Sequence, residues 1–171
     1  MAGACLISAL VADPDFRSMI RRDKQRAHSD PEDTELTDIS RLRGTRVMVI
    51  DDSNTIRRSA EIFLVQAGCQ VILAEDGFDA LAKIADHQPA VIFCDIMMPR
   101  LDGYQTCALI KKNSRFKSTP VVMLSSKDGL FDRARGRMVG SDLYLTKPFT
   151  KDSLLQTVAA FAFSAEAATH K

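Results

Sequence analysis

The stretch RVMVIDD (residues 46–52) runs four apolar, mostly β-branched residues straight into two carboxylates. Three more stretches repeat the design further along. VIFC (91–94) leads into Asp95, VVML (121–124) into Ser125, and LYLT (143–146) into Lys147 and Pro148. Short apolar runs without alternation are expected of strands buried on both faces, as in parallel sheets covered by helices. In an open parallel sheet the carboxyl ends of the strands converge on one crevice, where ligands bind. Asp51, Asp52, Asp95, Ser125 and Lys147 are therefore expected to meet.

The intervening sequence supports this layout. Strands are expected at 47–50, 71–74, 91–94, 121–124 and 143–145. Between the first two, Ile56, Ala60, Phe63, Leu64 and Ala67 fall on one face of a helix, and Gly68 supplies its stop. Phe78, Leu81 and Ile84 mark a second helix, and Asp102 is the expected N-cap of a third. Asp128 starts a fourth, with a thin apolar stripe of Leu130, Phe131, Ala134 and Met138. Leu154, Leu155, Val158 and Ala162 give the fifth its buried face. Five strands alternating with five helices predict an α/β doubly wound domain with a five-stranded parallel sheet.

Three carboxylates gathered in one crevice need a counter-charge. Two of them about 4 Å apart repel by roughly 4 kcal/mol at an effective dielectric near 20. Hard oxygen ligands of this kind favour magnesium, which prefers one or two carboxylates together with phosphate oxygens. Asp95 is the candidate nucleophile, because a carboxylate can attack a phosphoryl group to give an aspartyl phosphate. Lys147 offers a compact positive charge to that group and Ser125 a hydroxyl. Pro148 allows a cis peptide bond that aims the Lys147 ammonium into the site.

The set Asp51-Asp52, Asp95, Ser125 and Lys147-Pro148, with Tyr144 three residues before the lysine, resembles the receiver domain of bacterial two-component response regulators. The resemblance covers residues 46–163 and is nearest the single-domain, CheY-like members. It implies a flavodoxin-like (βα)5 fold with strand order 2-1-3-4-5. It also implies that Asp95 accepts a phosphoryl group from a histidine kinase. Asp51, Asp52, Asp95 and the backbone carbonyl of Met97 would hold Mg2+. Ser125 and Lys147 would bind the phosphoryl group, and Tyr144 would follow Ser125 as an aromatic switch. Met97 and Lys127 stand at positions that tune the phosphoryl lifetime in this family. Neither is an acid or amide, so slow self-dephosphorylation is expected.

The segments DGFDALAKIAD (76–86), DIMMPRLDGYQTCALIK (95–111), STPVVMLSSKDGLFD (118–132) and GSDLYLTKPF (140–149) resemble more narrowly the single-domain regulators of pilus-driven twitching motility. That implies a chemosensory-type histidine kinase as donor and a type IV pilus-control protein as output partner. It also implies a monomer that catalyses only its own phosphorylation and dephosphorylation. Arg133, Arg135 and Arg137 lie on the fourth helix, which belongs to the switching face in this family.

The remaining sequence sets boundaries. A net charge of +1 argues against direct nucleic-acid binding. No apolar run reaches the ~20 residues of a membrane helix, and MAGACLISALVA at the start has no positive n-region before Asp13-Pro14. No hydrophobic stretch precedes Cys5. Cys5, Cys69, Cys94 and Cys107 form no metal-binding spacing and read as thiols in a reducing, cytoplasmic setting. Residues 1–44 read as a flexible polar arm, 45–164 as the receiver domain and 165–171 as a tail. An aspartyl-nucleophile phosphatase of the haloacid dehalogenase type is the alternative. That chemistry wants an acid two residues after the nucleophile, where this chain has Met97. A flavodoxin-like cofactor carrier is disfavoured because Asp51 and Asp52 would repel phosphate.

Overall fold

The computed structural model describes residues 40–126 and 130–168, the side chains of residues 130–132 and 163–168 excepted. Ten elements alternate along it: β1 (Arg46–Ile50), α1 (Asn54–Gln66), β2 (Gln70–Ala74), α2 (Gly77–His87), β3 (Val91–Asp95), α3 (Gly103–Lys112), β4 (Val121–Ser125), α4 (Leu130–Met138), β5 (Leu143–Thr146) and α5 (Lys151–Ala168). All strand pairs are parallel, in the order β2-β1-β3-β4-β5.

Alternate strand residues feed two cores. Val47, Val49, Val91, Phe93, Val122 and Leu124 face α1 and α5. Met48, Ile50, Ile92, Cys94, Val121 and Met123 face the opposite side, where α2 and α3 pack. The central strands are apolar on both faces because a helix layer covers each. Cys69, Cys94 and Cys107 are free, buried thiols within these layers; Cys5 lies outside the described residues.

Helix boundaries follow local chemistry. Ser53 caps α1 through a bond to the Ile56 N–H. Gly68, at φ +87°, takes the left-handed conformation after its end. Asp102 caps α3 in a reciprocal box with Gln105.

Two helix faces are built differently from what periodicity alone suggests. Phe78 does not join the buried face of α2; it is 53% exposed, and Gly77, Ala80 and Ile84 are buried instead. The Arg100 guanidinium lies 5.5 Å from the Phe78 ring centroid, which explains how the ring is held outside. On α4, Ala134 and Met138 are exposed, and Gly136 is buried. A side chain at Gly136 would collide with Ser141, so α4 approaches by its backbone there, with Ala134 and Met138 turned outward. The proposed α4 start at Asp128, and the side chains of Leu130 and Phe131, lie outside the described residues.

The segment before β1 is part of the packing. Leu42, placed by sequence in the polar arm, is 1% exposed and sits in the core with Leu64, Ala67 and Cys69. Hydrogen bonds from the Gly44 N–H to the Gly68 carbonyl and from the Thr45 N–H to the Leu42 carbonyl fix it there. At the other end, the helical backbone of α5 continues through residues 165–168. Residues 1–39 and 169–171 lie outside the described residues.

Candidate phosphoacceptor site

Register brings the site together. Cys94 pairs with Ile50, so Asp95 emerges beside Asp51, and Ser125 pairs with Thr146, directly before Lys147. Asp51 and Asp95 are buried while Asp52 is exposed, and one carboxylate oxygen from each lies within 4.8 Å of the others. The Lys147 ammonium bridges Asp51 Oδ2 at 3.1 Å and Asp95 Oδ1 at 2.9 Å. The Lys147–Pro148 peptide bond is cis. The Lys147 N–H donates to the Ser125 carbonyl at 2.5 Å, tying the two strand ends.

The site is acid-rich. Burial pushes the Asp95 carboxyl above its ordinary value; the Asp51 charge pushes the same way, against the pull of Lys147 and of the Met97 N–H. Burial pulls Lys147 down, but hydrogen bonding to Asp95 and the charges of Asp51 and Asp95 outweigh it, and its pKa is raised. Both groups therefore hold protons more tightly than usual. Three carboxylates against one ammonium leave a negative potential, and hard oxygen donors at this spacing fit Mg2+.

Ser125 is buried at the end of β4. Met123, two residues earlier, pairs with Tyr144, so the side chains of Ser125 and Tyr144 point to the same sheet face. Tyr144 is half-buried against that core, with the Arg133 guanidinium 5.8 Å from its ring centroid. Met97 is 75% exposed at the mouth. Lys127 lies outside the described residues.

Several contributors were not visible as such in the sequence. Arg57 donates to the Asp51 carbonyl at 2.6 Å, and the Ser53 N–H donates to Asp51 Oδ1 at 2.8 Å, which fixes the carboxylate. Gly103 has no room for a side chain: a Cβ there would stand 2.1 Å from the Asp95 carbonyl oxygen. Arg100 pairs with Asp76, the α2 N-cap, and ties the β3–α3 loop to α2. The bond from the Asp79 N–H, more than the arginine, lowers the Asp76 pKa. Gly103 follows an evident N-cap, yet the backbone it abuts is eight residues upstream and becomes a neighbour only in the folded chain.

A five-stranded parallel sheet in this order, with acids, hydroxyl and lysine at its carboxyl edge, defines a class. Residues 47–159 match the response regulator receiver domain, and the chain belongs to that family. It is 74% identical over 117 residues to Protein PilG of Pseudomonas aeruginosa, a match covering 68% of this chain and 87% of that one. The response regulator MprA of Mycobacterium sp. (strain KMS) is 36% identical over 115 residues, 67% of this chain but 49% of MprA, so the chain spans about half of that relative. Among solved structures, the Vibrio cholerae chemotaxis protein CheY4 is 33% identical with a TM-score of 0.67, covering 69% of this chain and 98% of its own.

Proposed function

We propose that this receiver domain carries its signal as a phosphoryl group on Asp95. A carboxylate oxygen of Asp95 attacks the phosphorus of a phosphohistidine on a kinase. The P–N bond breaks as the P–O bond forms, and the bonding pair returns to the imidazole nitrogen. Asp51, Asp52, Asp95 and the Met97 carbonyl would hold Mg2+, whose charge would offset that of the phosphoryl oxygens. Lys147 moves its ammonium from the bare carboxylate to the phosphoryl group, and the Ser125 hydroxyl donates to one of its oxygens. Tyr144 reads the movement of Ser125.

The observation that carries this reading is the Lys147 bridge between Asp51 and Asp95 beside an exposed Asp52. An ammonium shared by two carboxylates, with a third carboxylate open to solvent, supports a reading in which Lys147 can turn to an incoming phosphoryl group and Asp52 can take a metal. A domain of this kind acts on no separate substrate. It catalyses its own phosphorylation and dephosphorylation and signals by protein binding.

A chemosensory-type histidine kinase is the proposed donor, and control of type IV pilus twitching motility the proposed output. Both rest on the resemblance to single-domain twitching regulators, supported by the 74% identity with Protein PilG. Transfer of labelled phosphoryl from a chemosensory kinase tests the first step: wild type should take the label and Asp95→Asn should not. A deletion strain that twitches normally would remove the pilus assignment while leaving the phosphoacceptor reading intact.

A further inference from the structure

Exposed cations gather where the carboxyl ends of α3 and α4 meet. Residues 103–126 hold Lys111, Lys112, Arg115 and Lys117 and no acidic residue. The Lys111 ammonium is engaged by Asp142 Oδ2 at 2.6 Å and by the Thr119 carbonyl at 2.8 Å. It also lies 3.4 Å from the Lys117 carbonyl. Its stem packs on Gly140, whose N–H donates to the Arg137 carbonyl. One turn back, the Arg135 guanidinium sits 4.8 Å from the ring centroid of Tyr104 on α3. Lys112, Arg115, Lys117, Arg135 and Arg137, all exposed, thus border one surface. Asp142 is the acid placed among them within the described residues, and the same Oδ2 that takes Lys111 also accepts the Val121 N–H.

The complementary charge lies in this chain. Residues 29–38, SDPEDTELTD, carry five acids, Asp30, Glu32, Asp33, Glu35 and Asp38, and no lysine or arginine. Ile39 alone separates them from Ser40, where the described chain begins. That chain enters the domain at the amino edge of the sheet: the Thr45 carbonyl accepts from Gln70 and the Arg46 carbonyl from Ala90. The α3 and α4 ends lie at the same edge, because each helix runs back from the carboxyl edge. From β1 to β4 is two strand spacings, about 10 Å, and the chain must also round the sheet edge from the face of α1 and α5 to that of α3 and α4, about 10 Å more. Ten residues from Asp30 to Ser40 reach up to ~35 Å, and five from Glu35 up to ~17 Å, so the acids furthest from Ser40 can cover the distance.

We propose that residues 30–35 dock on the basic surface formed by Lys112, Arg115, Lys117, Arg135 and Arg137. Tethering sets an effective concentration on the order of millimolar, so modest, salt-sensitive attraction suffices. The docked segment would occupy the carboxyl end of α4 and compete there with any acidic partner. The docking does not depend on phosphorylation of Asp95.

The test uses the full chain. A nitroxide is placed at Thr34→Cys in a Cys5→Ser background, with the three buried thiols left in place, and amide broadening is read by NMR. The expected result is strong broadening at residues 112–117 and 135–140 in low salt. It should fall several-fold at about 0.5 M salt, where the Debye length is roughly 4 Å. It should fall likewise when the five acids become Asn or Gln at unchanged length, and in Arg115→Glu/Lys117→Glu. Broadening confined to the neighbourhood of Arg41, Arg43 and Arg46, absent altogether, or indifferent to salt and to neutralisation of the acids would overturn the proposal.

Discussion

Asp95 is buried beside a second carboxylate and reached by one ammonium, so its ionised form is strained in the metal-free protein. The sign of the effect follows from its raised pKa. The folded state favours the protonated carboxyl, and that stabilising preference is complete below the unfolded value and lost as pH rises through the folded one. Near neutral pH the carboxylate therefore works against folding. Asp95→Asn in chelator should be more stable than wild type at pH 7, by on the order of 1 kcal/mol once the lost Lys147 contact offsets part of the relieved repulsion. That corresponds to roughly 3 °C in midpoint for a chain of this size. The difference should vanish at low pH, where both proteins are neutral at this position. A pH series of thermal melts reads both limbs. Equal stability at pH 7 would contradict the account of Asp95 electrostatics.

Gly103 belongs to the same scale. With a Cβ directed 2.1 Å from the Asp95 carbonyl oxygen, Gly103→Ala must push apart the β3 end and the start of α3. A loss of about 2–3 kcal/mol is expected, at the upper end of overpacking effects. The displaced Asp95 should also accept phosphoryl groups more slowly. Denaturant unfolding and initial labelling rates measure the two effects separately.

The elements were legible where one interaction decides them. Apolar runs gave β1, β3 and β4 within a residue, because strands covered on both faces leave no choice of side chain. The α3 start was legible because Asp102 and its partner Gln105 are local in sequence. Phe78 and α4 were not, for a common reason. Helical periodicity identifies a candidate face but not how closely the helix approaches: Gly136 brings α4 in by its backbone, and Arg100 captures Phe78 from another loop. Leu42 was illegible because its neighbours are polar, and only the corner at Gly68 supplies its pocket. Leu42→Ala should cost about 2–4 kcal/mol by leaving a cavity beside Leu64, without changing Asp95 labelling of the folded fraction. A melt unchanged from wild type would mean that the pre-β1 segment carries no stability.

At the scale of the whole molecule, the five site residues converge because strand order and register converge. The neighbours that fix Asp51 and Asp95 were largely beyond the sequence, since Arg57 donates to the Asp51 backbone carbonyl, Ser53 acts through its N–H and Gly103 abuts the Asp95 carbonyl. Switching is the property that belongs to the whole domain. Under the proposed function, phosphorylation would bias an existing two-state equilibrium. Reversing a 1:99 preference to 99:1 takes about 5.5 kcal/mol, more than the ~1 kcal/mol of one neutral hydrogen bond. The Lys147 and metal contacts must then carry most of the bias, with Ser125 as the link to Tyr144 on their shared sheet face. Ser125→Ala should accept a phosphoryl group yet bind its output partner several-fold more weakly than phosphorylated wild type. Lys147→Arg should behave likewise. Undiminished binding by phosphorylated Ser125→Ala would sever this route.

The proposed function requires Asp95 to be a magnesium-dependent phosphoacceptor. Incubation with a small acyl phosphate, with and without Mg2+, followed by intact-mass measurement, tests it without needing the cognate kinase. The expected result is the mass of one added phosphoryl group in wild type, dependent on Mg2+ and absent from Asp95→Asn. An unmodified wild type, an adduct that persists in Asp95→Asn, or steady consumption of acyl phosphate with no adduct would contradict it.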